Sequence, residues 1–290
     1  MKFLVFGASG MAGHTISLYL AEQGHDVTGF DLNKVSTCKS IIGNAKDTNS
    51  IRAIIKDGKY DSVINCIGIL NQFAENNKEL ATYLNSYFPH FLASETFGTK
   101  THVIHMSTDC VFSGKRGGYK EDDLRDGETF YDRSKALGEL EDNKNITLRN
   151  SIVGPDINKD GIGLLNWFMK QSDTINGYTK AIWTGLTTLQ LAKAMEAAAK
   201  EKAFGLYNMV NNEVISKFEL LKLFNHYLKN DELTIIPCEA LAADKSLVRT
   251  RFEFDYVIPD YETMVSEMAN WIIAHKNMYS HYDMVKYGNK

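Results

Sequence analysis

The segment that decides the fold is KFLVFGASGMAG, residues 2–13. Its first five residues are mostly apolar and lead directly into glycines spaced three residues apart. At such a turn, one glycine permits the tight change from strand to helix, one lets backbone approach a pyrophosphate, and one lets the helix pack on the strand. The spacing alone also fits a turn without a ligand, but the flanking strand and helix favour a dinucleotide site. The candidate cofactor contacts are Gly7, Ser9, Gly10, Met11 and Gly13.

Short apolar runs alternate with helical patterns through residues 1–155. Strands are predicted at Phe3–Phe6, Asp26–Phe30, Ser62–Ile67, His102–His105 and Ile146–Arg149. Helices are predicted at Met11–Gln23, Thr48–Lys56, Lys78–Phe97 and Thr129–Asn143, with Pro89 placed to kink the third. Because helices separate the strands, the strands should pair in parallel through right-handed crossovers. Residues 1–155 are therefore expected to form an α/β, Rossmann-type doubly wound parallel sheet that binds NAD(P).

After residue 155 the pattern is less regular. Helices are predicted at Gly161–Ser172, Thr188–Lys202 and Tyr261–His275, and another is predicted to begin at the capping-box match Ser216–Glu219. We expect residues 156–290 to form mainly a smaller C-terminal α/β lobe that binds substrate, with the helix near 188–202 packing back on the sheet. A substrate would then bind in the crevice at the carboxyl ends of the strands.

The composition narrows the classes of partner. The 290-residue chain has a formal net charge of −4 and a pI near 6.1, whereas nucleic-acid-binding domains usually carry a basic face. A run of about 18 apolar residues is lacking, so no membrane span is expected. The chain begins with a predicted strand rather than the apolar region of a signal peptide, so no signal peptide is expected. The four cysteines are scattered and lack the spacing of metal ligands. These features predict a cytoplasmic protein with no metal site.

An acidic residue closes the second predicted strand, about 20 residues past the glycines. A carboxylate at Asp31 could accept hydrogen bonds from the adenosine ribose and would repel a 2′-phosphate, which favours NAD. Lys34 is a candidate partner for such a phosphate, although a solvated loop lysine is the simpler explanation, so NADP stays open. Asn44 and Ala45 could meet the adenine edge, and loop polarity alone would also explain them.

Tyr131 and Lys135 lie four residues apart in the segment YDRSK and share one face of a predicted helix. A phenol with its ordinary pKa of about 10 is a poor proton shuttle at neutral pH. A nearby ammonium lowers that pKa and makes the phenol a competent acid or base. The spacing occurs by chance on many exposed helices, but here it falls between the fourth and fifth predicted strands. Together with the glycine turn, the pair indicates hydride transfer between a nicotinamide and a carbonyl.

The fourth predicted strand runs into STDCVFSG, residues 107–114. Hydroxyl groups at the carboxyl end of a parallel strand lie at the crevice. The Thr108 hydroxyl could therefore polarise a substrate carbonyl, and a cap for the following loop explains it equally well. Asp109 beside it is a candidate substrate contact.

On these residues the chain resembles the extended short-chain dehydrogenase/reductase family, and within it the dTDP-4-dehydrorhamnose reductase group of nucleotide-sugar reductases. The similarity covers most of the chain, and the Ser-Thr-Asp-x-Val-Phe segment is fairly specific for this group. Other shared landmarks are the three glycines of the turn, Val63–Cys66, Asn85 with Pro89, Tyr131-x-x-x-Lys135, Leu148–Ser151 and Thr187–Ala192.

The resemblance implies a catalytic triad of Thr108, Tyr131 and Lys135. Tyr131 would protonate the C4 oxygen, Lys135 would tune Tyr131 and bind the ribose, and Thr108 would orient the carbonyl. The resemblance further implies NADH or NADPH as cofactor and a nucleotide-sugar substrate, a 4-keto-6-deoxy sugar used for cell-surface polysaccharide. No nucleic acid or membrane partner is expected, and a homodimer is the candidate assembly. Further cofactor contacts are expected at Cys66, Ile67 and Gly68.

The chain also departs from the family pattern. Asn44 stands where relatives often carry Asp, and the substrate half matches only loosely, so a UDP-linked N-acetyl sugar is a further candidate substrate.

Trp183 could stack on a base or sugar, with core packing as the alternative. Arg251 could bind a diphosphate, with a surface ion pair as the alternative. Dehydratase relatives carry an Asp-Glu pair after the threonine, whereas here Asp109 is followed by Cys110. Dehydration is therefore not expected.

Two other functions stay open. A 4-epimerase of the same fold would retain NAD and recycle it. A non-catalytic regulatory subunit would keep the fold without the chemistry. The intact Thr108, Tyr131 and Lys135 set argues against the regulatory subunit, because a scaffold has no need of it.

Overall fold

The computed structural model describes residues 1–283, and within them seven strands form one parallel sheet. The strands in chain order are β1 (Lys2–Phe6), β2 (Asp26–Asp31), β3 (Lys39–Ile42), β4 (Ser62–Asn65), β5 (His102–Ser107), β6 (Ile146–Arg149), β7 (Ser151–Val153), β8 (Thr174–Trp183), β9 (Gly185–Thr187), β10 (Gly205–Asn208), β11 (Ile215–Ser216) and β12 (Thr234–Asp244). The large sheet has the order β10-β6-β5-β4-β1-β2-β3. This order reverses direction at β1, which confirms the predicted doubly wound fold.

Helices cover both faces of the large sheet. The α-helices of the described residues, in chain order, are α1 (Met11–Glu22), α2 (Thr48–Gly58), α3 (Asn71–Asn76), α4 (Lys78–Ala81), α5 (Phe88–Glu95), α6 (Phe130–Leu137), α7 (Leu164–Met169), α8 (Thr188–Glu201), α9 (Lys217–Lys229) and α10 (Tyr261–Ala274). None of the helices described is long and apolar enough to cross a membrane.

Alternate residues of β1 show how the two layers form. Phe3 and Val5 join the core that contains side chains of α1 and α8, whereas Leu4 and Phe6 join the core beneath α2 and α5. Both sets are fully buried, because successive strand residues point to opposite faces of a sheet that is covered on both sides. This is why the strand is apolar throughout rather than alternating.

The second half of the chain contributes to both parts of the molecule. Strands β11, β8 and β12 form a separate three-stranded sheet on which α9 packs, and α10 packs on α9. Helix α8 packs back on α1, and strand β10 completes the large sheet beside β6. Residues 156–290 therefore include one strand of the large sheet, β10, which the sequence patterns did not reveal. Residues 284–290 of the predicted lobe lie outside the described residues.

The predicted helix over 78–97 is interrupted. It consists of α4, a π-helical segment from Thr82 to Tyr87, and α5. Pro89 has no N–H to donate to the carbonyl of Asn85 four residues earlier, so regular α-helical bonding is lost there. The Asn85 carbonyl lies so close to Gly138 that a side chain at position 138 would overlap it. The break thus lets the segment after α6 approach this helix closely.

A buried carboxylate joins the strand ends that carry the candidate site. Glu139 accepts hydrogen bonds from Ser107 at 2.6 Å and from Arg149 at 2.9 and 2.7 Å, and it also pairs with Arg125. Burial raises the pKa of Glu139, but the Arg149 hydrogen bond and charge outweigh burial and hold it below its usual range. Glu139 therefore stays ionised and links β5 to β6 beneath Thr108.

Replacing Arg149 by leucine tests this link. The change leaves the buried Glu139 carboxylate without its main partner, so we expect the free energy of unfolding to fall by about 3–5 kcal/mol. The exposed pair of Arg52 with Glu95 provides the control, and Arg52→Leu should cost no more than about 1 kcal/mol. Urea denaturation of the three proteins measures both, and equal losses in the two variants would contradict a structural role for the buried pair.

Candidate active site

The predicted catalytic residues meet in one cleft at the carboxyl ends of the central strands. A cavity of about 410 Å³ is lined by Thr108 and Asp109 after β5, by Tyr131 and Lys135 of α6, and by the glycine turn. Thr108 follows β5 directly, and Tyr131 lies in the first turn of α6. The structure therefore brings together side chains that are separated by up to about 130 residues of sequence, as doubly wound folds do.

The helix that carries Tyr131 is fixed at its N-terminus by three side chains. Thr129 and Asp132 form a reciprocal capping box, and the carboxylate of Glu75 accepts hydrogen bonds from the backbone N–H groups of Phe130 and Tyr131 at 2.6 and 3.3 Å. A carboxylate at this position satisfies free N–H groups and complements the helix dipole. The helix start, and with it the phenol, is thus held in one place.

A second cavity, of about 630 Å³, adjoins the first and shares Gly7, Gly10 and Cys66–Gly68 with it. The rest of its lining contains further predicted cofactor contacts, Ser9, Asp31, Asn44 and Ala45. Met11 and Gly13 line the first cavity. The two cavities therefore form a continuous path across the glycine turn, with room for a two-part ligand such as a dinucleotide.

The glycines of the turn are needed for different reasons. Gly7 has a φ of +76°, and a side chain at Gly13 would overlap the carbonyl oxygen of Gly7. At Gly10 a β-carbon would meet nothing closer than 3.4 Å, an ordinary contact, so packing within the protein does not require a glycine there. Gly10 lines both cavities and precedes α1 as its N-cap. Its missing side chain leaves space at free helix N–H groups, which fits a pyrophosphate.

The carboxylate of Asp31 is held at the edge of the second cavity. Its two oxygens accept hydrogen bonds from the backbone N–H groups of Ser9 at 2.9 Å and of Leu32 at 2.8 Å. Each carboxylate oxygen has a second lone pair, so Asp31 can still accept from ribose hydroxyls. Lys34 is exposed.

Tyr131 is buried, and its surroundings differ from the sequence expectation. Burial is the largest effect and raises the pKa of the phenol above its ordinary value, while the neighbouring Thr108 hydroxyl acts in the opposite direction. The expectation that Lys135 lowers this pKa is therefore wrong for the protein alone. At neutral pH the phenol is protonated and can act as a proton donor.

Lys135 is also buried, and its ammonium donates a hydrogen bond to the carbonyl oxygen of Met106 at 2.8 Å. Burial lowers the pKa of Lys135 to about 8, while the charge of Glu139 acts in the opposite direction. Removal of the ammonium from water is unfavourable, and one carbonyl compensates for it only in part. A ligand hydroxyl in the cleft would give the ammonium a further partner.

Two predicted substrate contacts lie away from the cleft. Trp183 is buried in the core and packs against Tyr261 with ring centroids 5.7 Å apart. Arg251 pairs with Asp122, donates to the carbonyl of Leu206 in β10, and lines a pocket outside the cleft. The structure therefore shows core packing for Trp183 and a surface ion pair for Arg251, the alternatives to substrate binding. Neither side chain reaches the cavity with Tyr131.

Other residues of the cleft were not singled out as site residues from sequence. Met106, Asn150, Ser151, Ile162 and Gly163 line the cavity with Tyr131. In addition, the Asn85 side chain bonds to both backbone groups of Ile69 and to Ser134 of α6, so it fixes the loop that follows β4. The sequence pointed to Asn85 only as a landmark shared with the family, not as a residue that positions this loop. Among residues 1–283, no group of acidic, histidine and cysteine side chains has the arrangement of a metal site.

The fold and the cleft define a Rossmann-type dinucleotide-binding protein with a tyrosine–lysine pair beside the dinucleotide path. Comparison with known proteins gives the family. The chain belongs to the family described as RmlD substrate binding domain, whose model matches residues 1–253.

Individual relatives agree with this family. A probable low-salt glycan biosynthesis reductase of Haloferax volcanii, Agl14, is 34% identical over 143 residues, and the match spans 48% of this chain and 48% of that protein, about half its length. The dTDP-4-dehydrorhamnose reductase of Aggregatibacter actinomycetemcomitans is 24% identical over 81% of this chain and 82% of its own. The solved dTDP-4-dehydrorhamnose reductase of Bacillus anthracis, in complex with NADP, has a TM-score of 0.76 at 21% identity over 92% of this chain and 98% of its own, which shows the shared fold.

Replacing Gly10 by alanine tests the phosphate site. Because the new methyl group has room within the protein, we expect a change in stability of no more than about 0.5 kcal/mol. It would project into the path of a pyrophosphate, so the dissociation constants for NADH and NADPH should rise by about tenfold or more. Calorimetric titration measures them. Gly24→Ala, at an exposed position that lines neither cavity, is the control for affinity. Its φ of +80° disfavours a side chain, so only the dissociation constants of the two variants are compared. Unchanged affinity in Gly10→Ala would contradict the phosphate site.

The lowered pKa of Lys135 predicts a stability change with pH. Between about pH 8 and the ordinary lysine pKa of about 10.4, the unfolded chain binds a proton at Lys135 that the folded chain does not. Stability contributed by this group therefore rises with pH across that window, by at most about 3 kcal/mol. Lys135→Met should lack this contribution, so its free energy of unfolding should rise less, or fall more, with pH than that of wild type. The exposed Lys39→Met should follow the wild-type pH dependence. Urea denaturation from about pH 7 to about pH 10.5 spans this window and measures the difference. Parallel curves for wild type and Lys135→Met would contradict the buried ammonium.

Proposed function

We propose that this chain is an NAD(P)H-dependent reductase of the keto group of a nucleoside-diphosphate 4-keto-6-deoxy sugar, of the dTDP-4-dehydrorhamnose kind. The observation that carries the proposal is that Thr108, Tyr131 and Lys135 line the same cavity as the glycine turn. Carbonyl reduction needs a proton donor beside a dinucleotide, and this cleft offers places for both. Membership of the family and the reductases among its relatives support the same chemistry.

The residues that would hold the cofactor follow from the lining of the two cavities. Backbone N–H groups after Gly10 would bind the pyrophosphate, Asp31 the adenosine ribose, and Lys135 the nicotinamide ribose. The negative charge of Asp31 favours NADH, whereas a fold relative was solved with NADP, so both cofactors belong in the assay. When bound, the reduced nicotinamide would supply a hydride to the carbonyl carbon.

The proton would come from Tyr131. Because burial raises the pKa of the phenol, it is protonated at neutral pH and can donate to the oxygen as negative charge develops there. Thr108, which lines the same cavity and neighbours the phenol, would hold that oxygen. The cleft also keeps the phenol away from bulk water, which strengthens the hydrogen bond that it makes to the reacting group.

Binding of a diphosphate requires positive charges near the cleft, and Arg251 does not provide one. Lys245 and Lys217 are close enough to the cleft for their charges to lower the pKa of Asp109. Lys217 is the first residue of α9. Lys245 also lies 3.9 Å from Asp132. We therefore assign the diphosphate to this side of the cleft, where the smaller lobe meets the large sheet. Use of the product in cell-surface polysaccharide, cytoplasmic location, a homodimer and the lack of a nucleic acid partner remain predictions.

Tyr131→Phe tests the proposal. The variant keeps the ring that packs in the cleft but removes the proton donor, so we expect turnover to fall by about 10²–10⁴-fold while NADH and NADPH bind as in wild type. The assay follows cofactor absorbance with dTDP- and UDP-linked 4-keto-6-deoxy sugars. Tyr87 is half-exposed on the surface, and Tyr87→Phe is the matched control.

Three outcomes decide the matter. Turnover of one sugar by wild type and Tyr87→Phe, with loss in Tyr131→Phe, supports the reductase. Equal turnover in all three proteins removes Tyr131 from the mechanism. Cofactor binding without turnover of any sugar in the panel contradicts the proposed substrate class.

A further inference from the structure

The hydroxyl of Thr108 has a limited set of hydrogen bonds. It can donate one and accept two. The backbone N–H of Cys110 donates to Thr108 Oγ1 at 3.1 Å, and the Thr108 hydroxyl donates its own proton to Asp109 Oδ1, also at 3.1 Å. One lone pair remains, on a hydroxyl that neighbours the Tyr131 phenol. In this arrangement Thr108 has no proton left for a substrate.

This arrangement conflicts with the reduction of a ketone. A carbonyl oxygen only accepts hydrogen bonds, so Thr108 can hold it only by donating. An ionised Asp109 also only accepts and keeps the Thr108 proton. A neutral Asp109 carboxyl has an O–H of its own, which can donate to Thr108 Oγ1 and free the threonine proton to turn into the cleft.

We propose that Asp109 is a positioning residue that sets the direction of the Thr108 hydroxyl, so that the threonine donates to the substrate carbonyl only when the Asp109 carboxyl is neutral. The inference rests on the proposed function, because it takes a ketone oxygen as the partner of Thr108. It adds a role for Asp109 that differs from direct contact with the sugar. No bond other than hydrogen bonds is made or broken at Asp109.

The surroundings of Asp109 make the neutral form accessible. Burial raises the pKa of Asp109, whereas the Thr108 hydrogen bond, the positive charges of Lys245 and Lys217 and a hydrogen bond from Cys110 lower it. Burial also raises the pKa of the Cys110 thiol, to about 12, and of the Tyr131 phenol, so both neighbours are uncharged. Asp132 on α6 faces Lys245. The neutral carboxyl exists below the pKa of Asp109, so kcat/KM for ketone reduction should fall as pH rises through it.

The test compares pH profiles of kcat/KM for wild type, Asp109→Asn, Thr108→Val and the double variant. In wild type we expect a fall of about tenfold per pH unit above the pKa of Asp109. The amide of Asp109→Asn can donate to Thr108 at every pH, so this falling limb should disappear. Lys135 is present in all four proteins, and its titration therefore cancels in the comparison. Thr108→Val should lack the limb, and adding Asp109→Asn to it should leave the shape of the profile unchanged.

A measurement without substrate separates this inference from the proposed function. Carbon-13 NMR of the aspartate side chains, with Asp109 assigned by its absence in Asp109→Asn, gives the pH at which Asp109 titrates. Because Thr108 donates to the ionised form, Thr108→Val should move this titration to higher pH. If wild type reduces no sugar in the panel, the proposed function fails, and the NMR titration still decides whether the two side chains are coupled.

Any one of three results would overturn the inference. One is an unchanged Asp109 titration in Thr108→Val. The second is an Asp109→Asn enzyme that keeps the falling limb of wild type. The third is an Asp109→Asn substitution that changes the profile by the same amount when Thr108 is already valine.

Discussion

The cleft depends on one buried carboxylate. Glu139 accepts hydrogen bonds from Ser107 at the end of β5 and from Arg149 at the end of β6, and it lies one helical turn beyond Lys135. Because an unpaired buried charge is so unfavourable, these groups hold one another in a single arrangement. Thr108 follows Ser107 directly, so the same contacts place the threonine beside the Tyr131 phenol.

Burial then sets the chemical state of each group in the cleft. Burial keeps the Tyr131 phenol protonated, lowers the pKa of the Lys135 ammonium and favours a neutral Asp109 carboxyl. These effects share one cause, the removal of charge from water, and all of them suit a site that gives a proton to a neutral ketone. The positive charges of Lys217 and Lys245 lie on the side where a diphosphate would enter.

Sequence alone was sufficient where local pattern determines structure. The glycine turn, five of the seven strands within residues 1–155 and the long helices α1, α8, α9 and α10 follow from short-range spacing, and they were predicted to within a few residues. Strand β10 and the positions of Trp183 and Arg251 depend on which distant segments pack together, and a single sequence does not encode that in any local pattern. The pKa of Tyr131 was misjudged for the same reason, because its burial depends on residues far away in sequence.

A crystal structure with NADH or NADPH and a nucleotide sugar is the most direct test of the central claim. The claim is that a protonated phenol and a threonine hydroxyl hold one carbonyl oxygen beside a dinucleotide on the glycine turn. We expect the Tyr131 and Thr108 hydroxyls to lie about 2.6–3.2 Å from the same substrate oxygen, with the pyrophosphate at Gly10. A sugar whose oxygen contacts neither hydroxyl, or a dinucleotide bound away from the turn, would contradict it.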